Sequence, residues 1–174
     1  MKGKIFNAQE VQAIIAGNKT MFREVIKNKT SFEDFLQTRE VGDNWYKDRT
    51  ISMRGQGGLW GDYTLERFVE KFCPYKVGQK IKPKPKSGSI DLQLRLFGIE
   101  LLIKKIRVER LADISEEDIK LEGFKTDYKI LPHGIFKKDA IKFFIENWNA
   151  THKKPEEKFE ANPFVWVVDF KINK

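Results

Sequence analysis

Two prolines separated by one lysine, Pro83 and Pro85 in the run KVGQKIKPKPK, restrict the fold of this chain more than any other local feature. Each fixes φ and removes a backbone N–H, so the pair is expected to exclude a central strand at that point. Pro74, Pro83 and Pro85 are three of only six prolines, and all fall between residues 74 and 89. That segment reads as a Lys/Pro-rich connector. The 174 residues suit one domain with a continuous core. We read residues 1–174 as that domain, with an insertion at about 29–72 and the connector at about 74–89.

Upstream of the connector, Asn7 is placed to cap a helix running through Ala16, with Val11, Ile14 and Ile15 on one apolar face. Gly17 suits the left-handed position that closes such a helix. Residues 19 to 27 then alternate as a strand. Met21, Arg23 and Val25 point one way, and Thr20, Phe22, Glu24 and Ile26 point the other. SFEDFLQTRE is compatible with a short helix. WYKDRTISMRGQGGLWGDY predicts two strands joined by a Gly-rich turn, and Thr64 caps a helix over LERFVEKF.

Downstream, IDLQLRLFG alternates with Ile90, Leu92, Leu94 and Leu96 on one side, which predicts a strand. Gly98 would turn it into a second strand, IELLIKKIRVERL, to make a hairpin. SEEDIKLEGF has the signals of a capped helix, from Ser115 to Gly123. Residues 137–149 carry a helical stripe of Ala140, Ile141, Phe144, Ile145 and Trp148. THKKPEEKFEAN reads as a polar loop, and PFVWVVDFKI closes as a strand.

Composition narrows the class. With 33 % charged and 40 % hydrophobic residues the chain is globular, and no apolar run approaches the roughly 20 residues that span a bilayer. The N-terminus lacks a signal-peptide core, and one cysteine, Cys73, forbids an intrachain disulfide. A cytoplasmic protein without membrane contact is expected. The net charge of +8 favours polyanions, and it is concentrated in residues 76–86 and in LIKKIRVER. Neither a GxGxxG nor a P-loop pattern is present, and RGQGGLWG lacks the helix and lysine a phosphate loop needs. His133, His152 and Cys73 have no metal-ligand spacing, so neither metal nor cofactor is expected.

Four segments resemble the ASCH family of the PUA-like superfamily, in particular its phage-associated members. IFNAQEVQAIIAGNKTMFREVIK is similar to a family helix followed by G-x-K-T-x-T-x-R or G-x-K-T-x-T-R-R. CPYKVGQKI is similar to CPYG-x-x-GD. The others are IRVERLADISEEDIKLEGF, and NWNA followed by ANPFVWVVDF. They span most of the chain from residue 5 to 171. The resemblance implies an α+β fold: a small PUA-like β-barrel with short helices packed around its mouth. It also implies RNA-related binding. Some small bacterial members hydrolyse the amide of acetylcytidine, with the lysine, the second threonine and a glutamate as the proposed catalytic group.

Carried over, the lysine is Lys19 and the glutamate is Glu122, but the threonine position holds Phe22. The second basic position holds Glu24, leaving Arg23. Gln79 replaces the aspartate of the second segment, and KPKP replaces its W-V-R-E continuation. Phenylalanine cannot attack, donate or accept, and loss of a nucleophile removes about 4 kcal/mol or more of barrier stabilisation. The expected function is therefore recognition: a phage- or prophage-type domain binding RNA, single-stranded nucleic acid or a modified nucleoside. Lys19, Thr20, Arg23, Tyr75 and Glu122 would frame the ligand. Lys76, Lys80, Lys82, Lys84, Lys86 and Arg107 would attract the nucleic-acid backbone.

Each candidate has a plainer role beside it. The stem of Lys19 can simply cover the domain mouth, Glu122 can be a solvated residue before a capping glycine, and the lysines can be a solvated face. Trp60, Tyr63 and Tyr75 could stack on bases, whereas Trp148 and Trp166 fall on core stripes. Two other functions stay open. One is a nucleoside amidohydrolase or RNA hydrolase using Lys19 and Glu122. The other is a non-enzymatic module that binds a phage or host protein.

Overall fold

The computed structural model describes residues 3–27, 37–39, 50–54, 60–86, 90–124 and 136–173. In chain order its strands are β1 Gly3–Phe6, β2 Met21–Val25, β3 Gln37–Arg39, β4 Thr50–Arg54, β5 Trp60–Thr64, β6 Lys80–Pro85, β7 Glu100–Arg110 and β8 Phe164–Asn173. The helices are α1 Ala8–Ile15, α2 Leu65–Phe72, α3 Ile90–Arg95, α4 Glu116–Leu121 and α5 Phe136–Thr151. Five strands form one sheet in the order β1-β6-β7-β8-β2, and β3-β4-β5 form another. The class is α+β, as the pattern of elements predicts.

Local chemistry caps α1, α2 and α4 where the sequence indicates. Asn7 and Glu10 form a reciprocal cap on α1, with the Glu10 N–H 2.9 Å from Asn7 Oδ1 and the Asn7 N–H 2.8 Å from Glu10 Oε2. Gly17 follows with φ +77°. Thr64 caps α2 and Ser115 caps α4.

β8 organises the packing because both of its faces are buried. Phe164, Trp166, Val168 and Phe170 join Val11 and Ile14 of α1, Phe68 of α2, Leu92 of α3 and Leu96 in the turn after it. Val165 and Val167 join Met21, Val25, Ile119 of α4, and Phe144 and Trp148 of α5. A strand covered on both faces needs such a nearly continuous apolar run.

Three expectations are corrected. First, the prolines do not exclude an inner strand: β6 lies between β1 and β7. Its pairing to β7 ends at Ile81, whereas Pro83 and Pro85 stand opposite Lys4 and Phe6 of β1. The lysine between and after them keeps the ladder, and the Lys86 N–H donates to the Phe6 carbonyl at 2.7 Å. The missing proline donors fall where no β7 partner remains.

Second, IDLQLRLFG is the helix α3 and not a hairpin arm. Leu92 and Leu96, four residues apart, are buried together, while Ile90, Leu94 and Phe97 are exposed. Alternation by two contains both of these helical pairs, so period alone could not separate the cases. Third, Gln37–Arg39 is strand β3 rather than helix. Residues 31–36 and 40 of that expected helix lie outside the described residues, as does the Gly-rich turn between β4 and β5.

The five-stranded sheet does not close into a barrel. Its two edges nevertheless face one another through side chains. Lys4 of β1 reaches Glu24 of β2 at 2.5 Å, and the rings of Phe6 and Phe22 meet edge-on at 5.9 Å. A seam without a backbone ladder therefore separates β1 from β2 among the described residues. No helix among these residues is long and apolar enough to cross a membrane.

Candidate functional site

Backbone contacts bring the two distant halves of the motif together. Lys19 and Glu122 form an isolated antiparallel bridge, and the Thr20 N–H donates to the Leu121 carbonyl at 2.9 Å. The approach is tight at Gly123, whose φ is +87°. A Cβ there would stand 2.8 Å from Ala13 Cβ and 2.9 Å from Lys19 Cβ. Gly123→Ala is expected to lower stability by about 2 kcal/mol or more, combining left-handed strain with a backbone-level clash. Urea unfolding measures this directly.

The side chains at this junction form a buried ion network. Lys19, 1 % exposed, donates to Glu122 Oε2 at 2.8 Å and to the Glu122 carbonyl at 2.9 Å, with Glu10 Oε1 at 3.4 Å. Two of the ammonium hydrogens are thus bonded to Glu122, and Glu10 adds an ion pair. Arg23 Nη1 donates to Glu122 Oε1 at 2.9 Å, and Nη2 lies 2.7 Å from both Glu109 and Asp118. Arg107 extends the network to Asp118 at 2.7 Å, Glu109 at 3.1 Å and Asp169 at 3.2 Å. Lys19 and Arg23 do share a strand face, as alternation predicts. Their charges are answered inside the protein.

Burial works against the charge of Arg23, but Glu122 and Glu109 outweigh it and its pKa rises. Burial likewise opposes Asp118, and Arg23 with Arg107 outweighs it, so the carboxyl is held below the usual aspartate range. The unfolded chain therefore binds a proton at Asp118 before the native protein does. This stabilisation is complete above the unfolded pKa of about 3.9 and disappears as pH falls through the lower native value. Asp169 has the opposite sign, because burial raises it despite Arg107. Asp118→Asn is expected to lose stability at pH 7 and to show a shallower decline below about pH 4, read from urea midpoints across pH.

The seam opens into a cleft of about 530 Å³ bounded by β1, α1, β2, the end of α4 and α5. Lys19, Phe22, Arg23 and Glu122 all line it. Its other cations are Lys4, Lys27 and Lys86, its other acids Glu10 and Glu24, and Phe6, Phe124, Phe144 and Trp148 give it aromatic walls. The lining therefore has five lysine or arginine side chains against three carboxylates.

The other expected residues are placed elsewhere. Thr20 is half-buried and absent from the lining, its carbonyl accepting from the Phe170 N–H at 2.8 Å. Tyr75 is a core residue, 3 % exposed, donating to Glu24 Oε2 at 2.8 Å; burial and Glu24 raise its pKa, which keeps the phenol protonated. It cannot offer a stacking face. Tyr63 packs on Phe72, Trp148 and Trp166 are core as expected, and the Trp60 side chain and His133 lie outside the described residues. Lys76, Lys80, Lys82, Lys84 and Lys86 are all exposed, although Lys80 pairs with Glu100 at 2.9 Å. Only Lys86 among them reaches the cleft. Arg107 is engaged by its three carboxylates.

Lys4, Glu24, Lys27 and His152 were not singled out from the sequence as site residues, nor were Glu109 and Asp118. Lys4, Glu109, Asp118 and His152 sit on or beside other elements, Glu24 on the opposite face of β2, and Lys27 just beyond its end. The approach of β1 to β2, of α4 to β7, and of the end of α5 to the cleft gathers them. No protein-family model, curated protein or solved structure matches the chain.

Proposed function

We propose that this chain is an ASCH-like, PUA-like domain of phage or prophage type, acting in the cytoplasm. In this reading it binds a modified nucleoside, or a base of single-stranded RNA or other single-stranded nucleic acid, in the seam cleft. One observation carries the reading: Lys19, Phe22, Arg23 and Glu122, the motif positions, converge on one cleft with aromatic walls and a cationic surplus. The family's small barrel corresponds here to the open sheet whose edges meet through Lys4–Glu24 and Phe6–Phe22. The exposed lysines of β6 lead toward the cleft and end at Lys86, which supplies a path for a phosphate backbone.

The network also argues for binding over catalysis. Lys19 is buried and ion-paired with Glu122 and Glu10, and Phe22 offers no nucleophile. Lys19 and Arg23 act in this account as the scaffold of the cleft, with Lys27 and Lys86 as its accessible cations. Fluorescence anisotropy with a short single-stranded RNA, at two salt concentrations, tests it. Affinity is expected to fall steeply with salt, and Lys82→Ala, Lys84→Ala and Lys86→Ala together are expected to reduce the salt slope by about 2 to 3. A flat salt response counts against the nucleic-acid arm and leaves the free nucleoside.

A protein-binding function has its own supporting observation. Ile90, Leu94 and Phe97 are 73 %, 68 % and 88 % exposed and lie along α3 and the turn after it. Loss of a copurifying protein on Phe97→Ser, with nucleoside and RNA binding absent throughout, would favour that function. Turnover of acetylcytidine by the wild type, lost in Lys19→Ala, would favour the amidohydrolase.

A further inference from the structure

Resting on the nucleoside reading of the cleft, we infer that His152 is a specificity residue whose Nε2 accepts a hydrogen bond from an N–H of the bound base. His152 immediately follows α5 and lines the cleft. Its imidazole lies flat on the Trp148 indole, with centroids 3.9 Å apart and planes 13° from parallel. Nδ1 stands 3.0 Å from the Trp148 carbonyl and 3.1 Å from Thr151 Oγ1.

Within this inference Nδ1 donates to the Trp148 carbonyl, which can only accept and which also takes the His152 N–H and the Thr151 hydroxyl, each at 2.9 Å. In the neutral ring the lone pair is then on Nε2, which has no hydrogen-bond partner among the described residues. The stack on Trp148 and the bond to the helix end fix the ring's orientation. A ring held this way presents an acceptor, and an acceptor selects donors.

The surroundings keep the ring neutral. Burial lowers its pKa, while the Trp148 contact and Glu157 oppose the shift and Lys27 and Lys4 reinforce it. The charged groups around the cleft are Lys4 of β1, Glu10 of α1, Lys19 ahead of β2, Arg23 and Glu24 of β2, Lys27 after it, Lys86 after β6, Glu122 after α4, and Glu157. An imidazolium would repel the lysines, so a phosphate has better partners in Lys27 and Lys86 than in His152. Phosphate and base are thereby assigned to different parts of one cleft.

The test uses uridine and N3-methyluridine, which differ by replacement of the N3–H donor with a methyl group, in calorimetric titration. His152→Phe preserves an aromatic ring over Trp148 and removes the acceptor. Uridine is expected to bind wild type about tenfold more tightly than the variant, the size of one hydrogen bond. N3-methyluridine should bind both proteins equally and weakly. Uridine affinity should fall between pH 7 and pH 5 in wild type and stay level in His152→Phe.

Nitrogen NMR of the free protein gives an arm independent of any ligand. The resonance lost in His152→Phe should show an unprotonated Nε2 at pH 7.5. A protonated Nε2, or uridine binding indifferent to the variant or to N3-methylation, overturns the assignment while leaving the cleft reading intact. Absence of binding by either nucleoside and by RNA overturns the cleft reading and the assignment together.

Discussion

Arg23→Ala is expected to lower the unfolding free energy by about 3–5 kcal/mol, the range for removing one partner of a buried ion pair. The side chain is fully buried and touches Glu109, Asp118 and Glu122 at 2.7–2.9 Å. Alanine leaves Glu122 with Lys19 alone, leaves Glu109 and Asp118 to Arg107, and empties the volume of a guanidinium. The penalty is the stranded carboxylates, more than the lost attraction itself. Arg23→Lys should recover only part of it, because one ammonium cannot span both sides of a planar fork. Arg23→Met tests the origin of the effect. Paired with Glu122→Gln, it should cost less than the sum of the two single changes, since the second substitution removes a charge that the first leaves unpaired. Urea unfolding of the four proteins provides the cycle, and strict additivity would deny the network its coupling.

Phe22→Thr has the second large effect, about 3–5 kcal/mol of destabilisation by analogy with deletions of a buried ring. Phe22 is 2 % exposed and meets Phe6, Tyr75 and Phe170 at 5.9, 5.4 and 6.1 Å, with Lys4 Nζ 4.9 Å from its centroid. Threonine removes the contacts that hold β1 against β2 and buries a hydroxyl in an apolar setting. A threonine at this position is therefore costly. Phenylalanine here forms a wall between the core and the cleft. The variant is expected to lose thermal stability and to gain no acetylcytidine hydrolysis. Retained stability with turnover would mean that the seam tolerates a polar side chain and that catalysis remains latent.

Much of the fold was legible because local chemistry and tertiary packing agree at its helix ends and in β8. Asn7, Thr64 and Ser115 cap their helices, Gly17 and Gly123 adopt positive φ, and the apolar run 164–170 is covered on both faces. The failures occurred where one pattern permits two structures. Leu92 and Leu96 are equally two strand steps apart twice over or one helical turn apart, and only burial in the core, where α3 packs on α1 and β6, decides. Proline lacks a donor, but whether that matters depends on which neighbour strand still runs alongside.

The site divides in the same way. Lys19, Arg23 and Glu122 were grouped only through a resemblance, and the structure brings them into contact. Tyr75 looked available for stacking because nothing in CPY reveals that its phenol points at Glu24. His152 looked isolated because its neighbours, Trp148 and the cations of β1 and β2, come from a helix turn and from strands well over a hundred residues away. Long-range approach creates the cleft, and sequence spacing carries no record of it.

The most direct test of the central claim is to map chemical shifts of the isotope-labelled chain as uridine and a short single-stranded RNA are added. Perturbations are expected at Glu10, Phe22, Gly123, Phe124 and His152 around the seam, extending to Lys86 with RNA. Saturable changes confined to α3 and Phe97, with the seam unmoved, would contradict the account and move the function to the apolar face.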